Sequence, residues 1–149
     1  MRPDHLPSMN IRPYRSSDRA EWQRMRQALW PDQTSADMDE WLARPDAAVL
    51  VAERPGGGLG GFAEVGERSI AQGCSTSPVA YLEGWYVDPD LRGQQVGAGL
   101  LQAIEAWARR AGYRELASDT TLGNEASQRA HQALGFIEVE RAVQYRKPL

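Results

Sequence analysis

A loop rich in glycine and amide residues opens the clearest helix of the sequence. The segment DLRGQQVGAGLL, residues 90–101, contains Gly93, Gly97 and Gly99, which permit a close approach to the backbone. The first N–H groups of a helix have no partner within it, and the helix dipole adds positive charge there. With the guanidinium of Arg92, such a helix start would bind an anion, most simply a phosphate group. A turn that merely enters a helix is the alternative, and the loop alone favours neither interpretation.

Two familiar phosphate-binding patterns do not describe this loop. It contains neither G-x-x-x-x-G-K-[ST] nor G-x-G-x-x-G, so neither a P-loop nor a dinucleotide-binding turn is predicted here. Which anion binds, and which reaction follows, must therefore come from the rest of the chain.

The elements around the loop predict one mixed sheet with flanking helices. The strand VAYLEGWYV, residues 79–87, leads into the loop, and its Gly84 would mark a bulge or a close approach by another group. A short strand, ELASD, follows the helix, then a helix from Asn124 to about Gly135, and finally a strand pair at FIEVE and VQYRK. The full order β-α-α-β-β-β-α-β-α-β-β predicts an α/β (α+β) domain.

The composition excludes several classes of protein. With 17 basic and 20 acidic residues the formal charge is −3, which argues against a nucleic-acid-binding protein and suits a cationic small molecule. No apolar run is long enough for a membrane span, and one Cys with two His at scattered positions predicts no metal site. The lone Cys74 allows no internal disulfide, so we expect a cytoplasmic protein. Residues 1–8 are predicted to be a flexible leader, and residues 9–149 a single domain.

Two motifs carry a resemblance to a known superfamily. VDPDLRGQQVGAGLL resembles the acetyl-CoA signature of the GCN5-related N-acetyltransferases, Arg/Gln-x-x-Gly-x-Gly/Ala, although Gln95 stands where the middle Gly is usual. NEASQRAHQALGF is similar to the element Asn-x-x-Ala-x-x-x-Tyr-x-x-x-Gly-Phe of the same superfamily, with Ser127 for Ala and His131 for Tyr. The resemblance implies a mixed central sheet splayed between strands four and five, with acetyl-CoA as cosubstrate.

Further segments resemble one branch, the aminoglycoside 6'-N-acetyltransferases of the dimeric subclass. They are MRQALWPDQ, GCSTSPVAYLEGWYV, ELASDTTLGNEASQRAHQALGF and EVERAVQYRK. The resemblance implies a homodimeric enzyme that transfers acetyl from acetyl-CoA to the 6'-amine of aminoglycoside antibiotics. Transfer would be a direct attack in a ternary complex, and it would confer antibiotic resistance.

The resemblance also implies where the cofactor binds. The backbone of Trp85, Tyr86 and Val87 would bond the pantetheine arm, and an N–H there could polarise the thioester carbonyl. The helix start would hold the pyrophosphate through Arg92, Gly93, Gln94, Gln95, Val96, Gly97 and Ala98. Asn124 would bond the pantetheine arm, cap its own helix, or do both.

The catalytic assignments rest on the same resemblance. Glu83 would take the proton from the attacking amine, directly or through water, and Asp119 would orient the substrate ammonium. His131 would protonate the departing thiolate in place of the usual Tyr. The alternatives are that the carboxylates pair with backbone or a surface Arg, and that His131 serves only packing.

The substrate-site assignments have similar alternatives. Trp30 would form a wall of the sugar site with Gln33 close by, although a Trp at the end of an amphipathic helix is often a core residue. Glu140 would contact the antibiotic, across the dimer interface, or else be solvated.

Two rival functions are compatible with the same sequence. The acceptor could be another amine: a polyamine, another amino sugar or a peptide. The chain could instead be a non-catalytic acyl-CoA-binding module, which Gln95 and the missing Tyr would suit, but the presence of both Glu83 and Asp119 counts against it.

Overall fold

Five strands form one mixed sheet in the computed structural model, which describes residues 9–149. The strands are β1 Asn10–Pro13, β2 Ala48–Glu53, β3 Leu59–Arg68, β4 Val79–Val87 and β5 Leu116–Ser118, in that spatial order. The helices are α1 Arg19–Leu29, α2 Ser35–Ala43, α3 Val96–Arg110 and α4 Glu125–Ala133, with short 3-10 turns at Ser16–Asp18 and Pro89–Leu91. The predicted leader, residues 1–8, lies outside the described residues. No helix from residue 9 onward is long and apolar enough to cross a membrane.

Helices cover both faces of the sheet. Successive strand residues point to opposite faces, and along β2 the side chains of Leu50 and Ala52 pack with α3, while Val49 and Val51 pack with α1 and α2. The α3 side is filled mainly by leucine, alanine and valine. The other side is built around the fully buried rings of Trp22 and Phe62. The predicted class, a mixed sheet flanked by helices, is confirmed.

The strand pairing changes from antiparallel to parallel at β4, and the sheet opens there. The pairs β1–β2, β2–β3 and β3–β4 are antiparallel, whereas β4 and β5 are parallel and pair only from Ala80 to Leu82. Within residues 9–149, no strand pairs with residues 83–87 on the β5 side of β4. The splay that the resemblance implied between strands four and five is therefore present.

A bulge in β4 lies at the start of this opening. Glu64 of β3 faces Gly84, but the next residue, Val65, faces Leu82, so Glu83 is the extra residue on β4. Bulges bend a strand and turn a side chain in a new direction. The bulge therefore places Glu83 where β4 leaves β5.

The predicted last strand pair, FIEVE and VQYRK, is wrong for the single chain. Residues 136–149 form neither helix nor strand, and they are largely exposed. Ile137 is 85% exposed and Tyr145 is 92% exposed. Alternating apolar residues form a strand only where a hydrogen-bonded neighbour is available, and this segment has none within the described chain.

Gln95 adopts a left-handed backbone conformation at the N-cap of α3, with φ 67° and ψ 14°. It is the one non-glycine residue with a positive φ between residues 9 and 149. A Cβ in this region costs about 1–2 kcal/mol, whereas glycine adopts it freely. Gln95 therefore holds a conformation that favours glycine, the residue that the acetyl-CoA signature usually has here.

Gln95→Gly should raise the free energy of unfolding by about 0.5–1 kcal/mol. Relief of strain is partly offset by the greater freedom of glycine in the unfolded chain. Urea unfolding measures the difference. Gln95→Ala is the matched control, because it keeps the Cβ and should not stabilise. If Gln95→Gly were no more stable than Gln95→Ala, the left-handed turn would carry no strain.

Candidate functional site

The start of α3 presents unpaired backbone donors beside the open part of β4. The first intrahelical bond runs from the Gly99 N–H to the Gln95 carbonyl at 3.0 Å, so the N–H groups of residues 96–98 have no partner inside the helix. Two side chains hold this turn against β4: Arg92 Nε donates to the Val87 carbonyl at 2.9 Å, and Trp85 Nε1 donates to the Gly97 carbonyl at 3.0 Å. A fixed row of donors at a helix dipole results, as an anion site requires.

Gly97 is not required by the fold. A Cβ built at Gly97 would lie 3.5 Å from the Trp85 ring, which is an ordinary contact, and its φ is not positive. The absence of a side chain at Gly97 therefore leaves room for a ligand to approach the first turn of α3.

The two predicted catalytic carboxylates lie in one cluster. Glu83 accepts a bidentate pair of hydrogen bonds from Arg68, Nε to Oε2 at 2.8 Å and Nη2 to Oε1 at 2.7 Å. Asp119 accepts a hydrogen bond of 2.5 Å from the hydroxyl of Tyr81. The Arg68 guanidinium lies 3.5 Å from the centroid of the Tyr81 ring, which links the two pairs. The surface-Arg alternative thus describes a real contact of Glu83.

These contacts raise the pKa values of the two hydrogen-bond donors, Tyr81 and Arg68. Burial, and then the hydrogen bond to Asp119, raise the pKa of Tyr81 above its usual range. The hydrogen bonds to Glu83 raise the pKa of Arg68. Tyr81 is therefore a neutral donor and Arg68 a permanent cation at neutral pH.

Trp30 forms a wall beside β4. It lies at the C-cap of α1, and a Cβ at Gly84 would come within 2.5 Å of its ring, so Gly84 permits the contact. The guanidinium of Arg26 lies 4.8 Å from the Trp30 ring centroid, and Phe62 packs edge-on at 6.2 Å. Trp30 is half-buried, which allows both a packing role and a binding role.

The Arg26 side chain that contacts the Trp30 ring belongs to a buried ion pair. Glu64 is 1% exposed, accepts a hydrogen bond from Trp22 Nε1 at 2.9 Å, and lies 3.3 Å from Arg26. Burial raises the pKa of Glu64 to about 7, against the opposing effect of Arg26. Removing either member would leave a buried charge without its partner.

Gln33 does not face solvent in this structure. Its side chain is buried, and neither amide atom has a hydrogen-bond partner within the described chain. The predicted substrate contact of Gln33 stays a prediction.

His131 lies at the split between β4 and β5. Nε2 lies 2.9 Å from Ser118 Oγ at the end of β5, and Nδ1 lies 2.7 Å from the Ser127 carbonyl. A carbonyl only accepts, so Nδ1 carries a proton. The Ser118 hydroxyl also donates to the Leu82 carbonyl at 3.3 Å, and a hydroxyl that donates there accepts from a protonated Nε2. The ring packs between Trp85 and Phe136, with centroids 5.2 and 5.0 Å away.

Two predicted residues stand apart from the carboxylate cluster. Asn124 is the N-cap of α4 and accepts from the Ser127 N–H at 3.1 Å, so the capping interpretation is confirmed. Glu140 is exposed in the irregular segment 136–149, and its predicted contact with the substrate stays a prediction. Residues 9–149 also contain no group of three or more His, Cys, Asp or Glu side chains placed to hold a metal ion.

Sequence reasoning missed the groups that hold the carboxylates. Arg68 ends β3 and meets Glu83 because β3 and β4 pair antiparallel, whereas Tyr81 on β4 meets Asp119 because β4 and β5 run parallel. The alternation along VAYLEGWYV could have placed Tyr81 and Glu83 on the same face of β4. No local signal marks Arg68.

Comparison with known proteins agrees with the geometry. The acetyltransferase (GNAT) family pattern matches residues 15–136. The chain is 48% identical over 147 residues to an aminoglycoside N(6')-acetyltransferase type 1 of Klebsiella aerogenes, covering 93% of this chain and 96% of that protein. It is 44% identical over 142 residues to a protein of the same name from Stenotrophomonas maltophilia, covering 93% of each.

Solved structures share the fold. One is AAC(6')-Iy in complex with the bisubstrate analogue CoA-S-monomethyl-acetylneamine, with a TM-score of 0.87, 38% identity, and coverage of 95% of this chain and 99% of that one. Another is the aminoglycoside 6'-N-acetyltransferase AAC(6')-Ih from Acinetobacter baumannii, with a TM-score of 0.87, 36% identity and the same coverage. Sequence pattern, relatives and fold agree, and this chain belongs to the acetyltransferase (GNAT) family.

Proposed function

We propose that this protein is an aminoglycoside 6'-N-acetyltransferase that uses acetyl-CoA and confers antibiotic resistance. One observation carries the proposal: the bulge at Glu83 places a carboxylate at the point where β4 leaves β5, and farther along the same open stretch Trp85 and Val87 contact the loop and helix start that present the free donors of α3. The acceptor side and the anion-binding side of a transferase thus meet at one opening. The relatives that bear this activity in their names match this chain over nearly its whole length.

The open edge of β4 and the first turn of α3 fit acetyl-CoA. The pyrophosphate would lie on the N–H groups of residues 96–98, where Gly97 leaves the backbone bare. The pantetheine arm would pair with Trp85 and Val87 in the place of a missing strand. The thioester would then lie close to Glu83 and to the end of β5.

The acceptor side suits a cation with a flat hydrophobic face. Glu83 and Asp119 supply two negative charges, and the Trp30 ring supplies an amphipathic wall. An aminoglycoside carries several ammonium groups on sugar rings, so it matches both features. Arg68 neutralises part of the negative charge of the two carboxylates through its ion pair with Glu83.

The transfer needs one proton removed and one supplied. The amine of the acceptor is protonated near neutral pH, because alkyl amines have pKa values near ~10. We assign Glu83 to take that proton, so that the nitrogen lone pair can form the N–C bond while the C–S bond breaks. The thiolate would receive a proton from His131, directly or through the Ser118 hydroxyl. Asp119 would hold a substrate ammonium in position.

Acetyl-CoA with kanamycin should give saturable release of free thiol, and mass spectrometry should find the acetyl group on the 6'-amine. An aminoglycoside with a 6'-hydroxyl is the matched control, and it should be a poor acceptor. Spermidine and a peptide amine test the rival acceptors. A much higher kcat/KM for either would overturn the assignment of acceptor. CoA binding without transfer to any amine would indicate the non-catalytic module.

Substitutions at the three assigned groups should separate their roles across pH. Glu83→Gln should lower kcat by about 10²–10⁴-fold, with the deficit shrinking as pH rises and free amine accumulates. His131→Gln should lower kcat, because the departing thiolate loses the side chain assigned to protonate it. Asp119→Asn should mainly raise KM. Wild-type kcat in Glu83→Gln at every pH would remove Glu83 from the mechanism.

We also propose that the enzyme is a homodimer in which residues 136–149 pair with a second copy. Ile137, Val139, Val143 and Tyr145 are each at least 60% exposed, and they alternate as in strands. β5 is an edge strand, and an exposed apolar segment near a free edge favours strand pairing between chains. Glu140 would reach the acceptor site within such an assembly.

Sedimentation equilibrium should find twice the 16.6 kDa chain mass. Val143→Asp should yield monomers, because it places a charge in the proposed interface, whereas Arg110→Gln at the end of α3 should leave the dimer intact. A wild-type monomer at micromolar concentration would contradict the proposal.

A further inference from the structure

Arg68 holds the carboxylate to which the reaction assigns a substrate amine. Both oxygens of Glu83 accept from its guanidinium, at 2.7 and 2.8 Å. A guanidinium in a bidentate pair fills the oxygens of a carboxylate that a substrate ammonium or a water relay would use. As long as this pair persists, Glu83 has little capacity left to accept a proton.

The position of the pair makes it exchangeable. The side chain of Arg68 is 45% exposed and that of Glu83 is 23% exposed, so water and a competing cation reach both. Ion pairs with this exposure are weak, because water screens them and two side chains must be held in place. A polycationic acceptor can therefore compete for Glu83.

The Tyr81 ring can continue to bind the Arg68 guanidinium after the ion pair with Glu83 opens. The Arg68 guanidinium already lies 3.5 Å from the Tyr81 ring centroid, and the ring is fixed because its hydroxyl donates to Asp119. A cation over an aromatic face keeps part of its stabilisation when its ion pair opens. Arg68 can thus leave Glu83 without leaving the cluster.

We propose that Arg68 is an internal competitor for the acceptor site, so that a substrate ammonium binds to Glu83 only by displacing its guanidinium. Arg68 then weakens the binding of every amine and selects acceptors with enough positive charge to displace it. It also keeps the two carboxylates from being left without a cation before the acceptor arrives. The inference rests on the role proposed for Glu83 in acetyl transfer.

Arg68→Gln should lower KM for kanamycin by about fivefold while kcat stays within twofold of wild type. A fivefold change corresponds to ~1 kcal/mol, the upper end for an exposed ion pair. Arg68→Lys keeps the charge but loses the bidentate fork, so its KM should fall between the two. Arg110→Gln removes the same charge at the exposed end of α3 and should leave KM unchanged.

A double-mutant cycle tests whether Arg68 affects KM through Glu83. In a Glu83→Gln background, Arg68→Gln should change KM by less than twofold, because the competition has no carboxylate left. Calorimetry with CoA-loaded protein and kanamycin should show the same tightening of Kd without turnover, and the affinity for CoA should not change. An unchanged or raised KM in Arg68→Gln would overturn the proposal. So would a fall in kcat at constant KM, which would make Arg68 an orienting group for Glu83.

The activity of the wild-type protein distinguishes failure of the proposed function from failure of the competition. If wild-type protein acetylates no aminoglycoside, the proposed function fails. If it does acetylate them and Arg68→Gln leaves KM unchanged, only the competition fails.

Discussion

The parting of β4 from β5 after Leu82 is the constraint on which the rest of the site depends. Three residue pairs join the two strands, and beyond them the backbone of β4 has no neighbour on that side within the described chain. Buried backbone groups require partners, so an opening of this kind persists only where a ligand or water can satisfy them. The start of α3 lies at the same opening, because Arg92 and Trp85 bind the loop to β4.

The bulge at Glu83 couples this opening to the acceptor side. An extra residue in β4 leaves Glu64 facing Gly84, and Gly84 in turn admits the Trp30 ring. Trp30 rests on Arg26, which is held by the buried carboxylate of Glu64. A single irregularity of the sheet therefore sets the direction of the Glu83 side chain and also makes room for the Trp30 ring at Gly84.

Two carboxylates in this region are each paired with an arginine. Arg26 faces Glu64 in the core, and Arg68 faces Glu83 at the surface, but the two pairs differ in how far water reaches them. The buried pair would be costly to break, because either charge would be left in a medium of low dielectric. The exposed pair can open at little cost, so the same pairing is structural in one place and exchangeable in the other.

Local sequence determined the elements of the site and the residue types it contains. The glycine-rich helix start, the long strand with Gly84 and the helix capped by Asn124 all appear where pattern and capping predict them. These features follow from interactions within a few residues, which sequence spacing records. The resemblance added Glu83 and Asp119 as a pair, and the structure brings them into one cluster through Arg68 and Tyr81.

Only the tertiary structure decided what those residues touch. Arg68 meets Glu83 through the antiparallel register of β3 and β4, and Tyr81 meets Asp119 because β4 and β5 run parallel. The prediction of the last two strands was wrong for the same reason. FIEVE and VQYRK have the alternation of strands, but a strand forms only where a second backbone accepts its hydrogen bonds. Contacts between distant segments depend on register and on available partners, and neither is recorded in the local sequence.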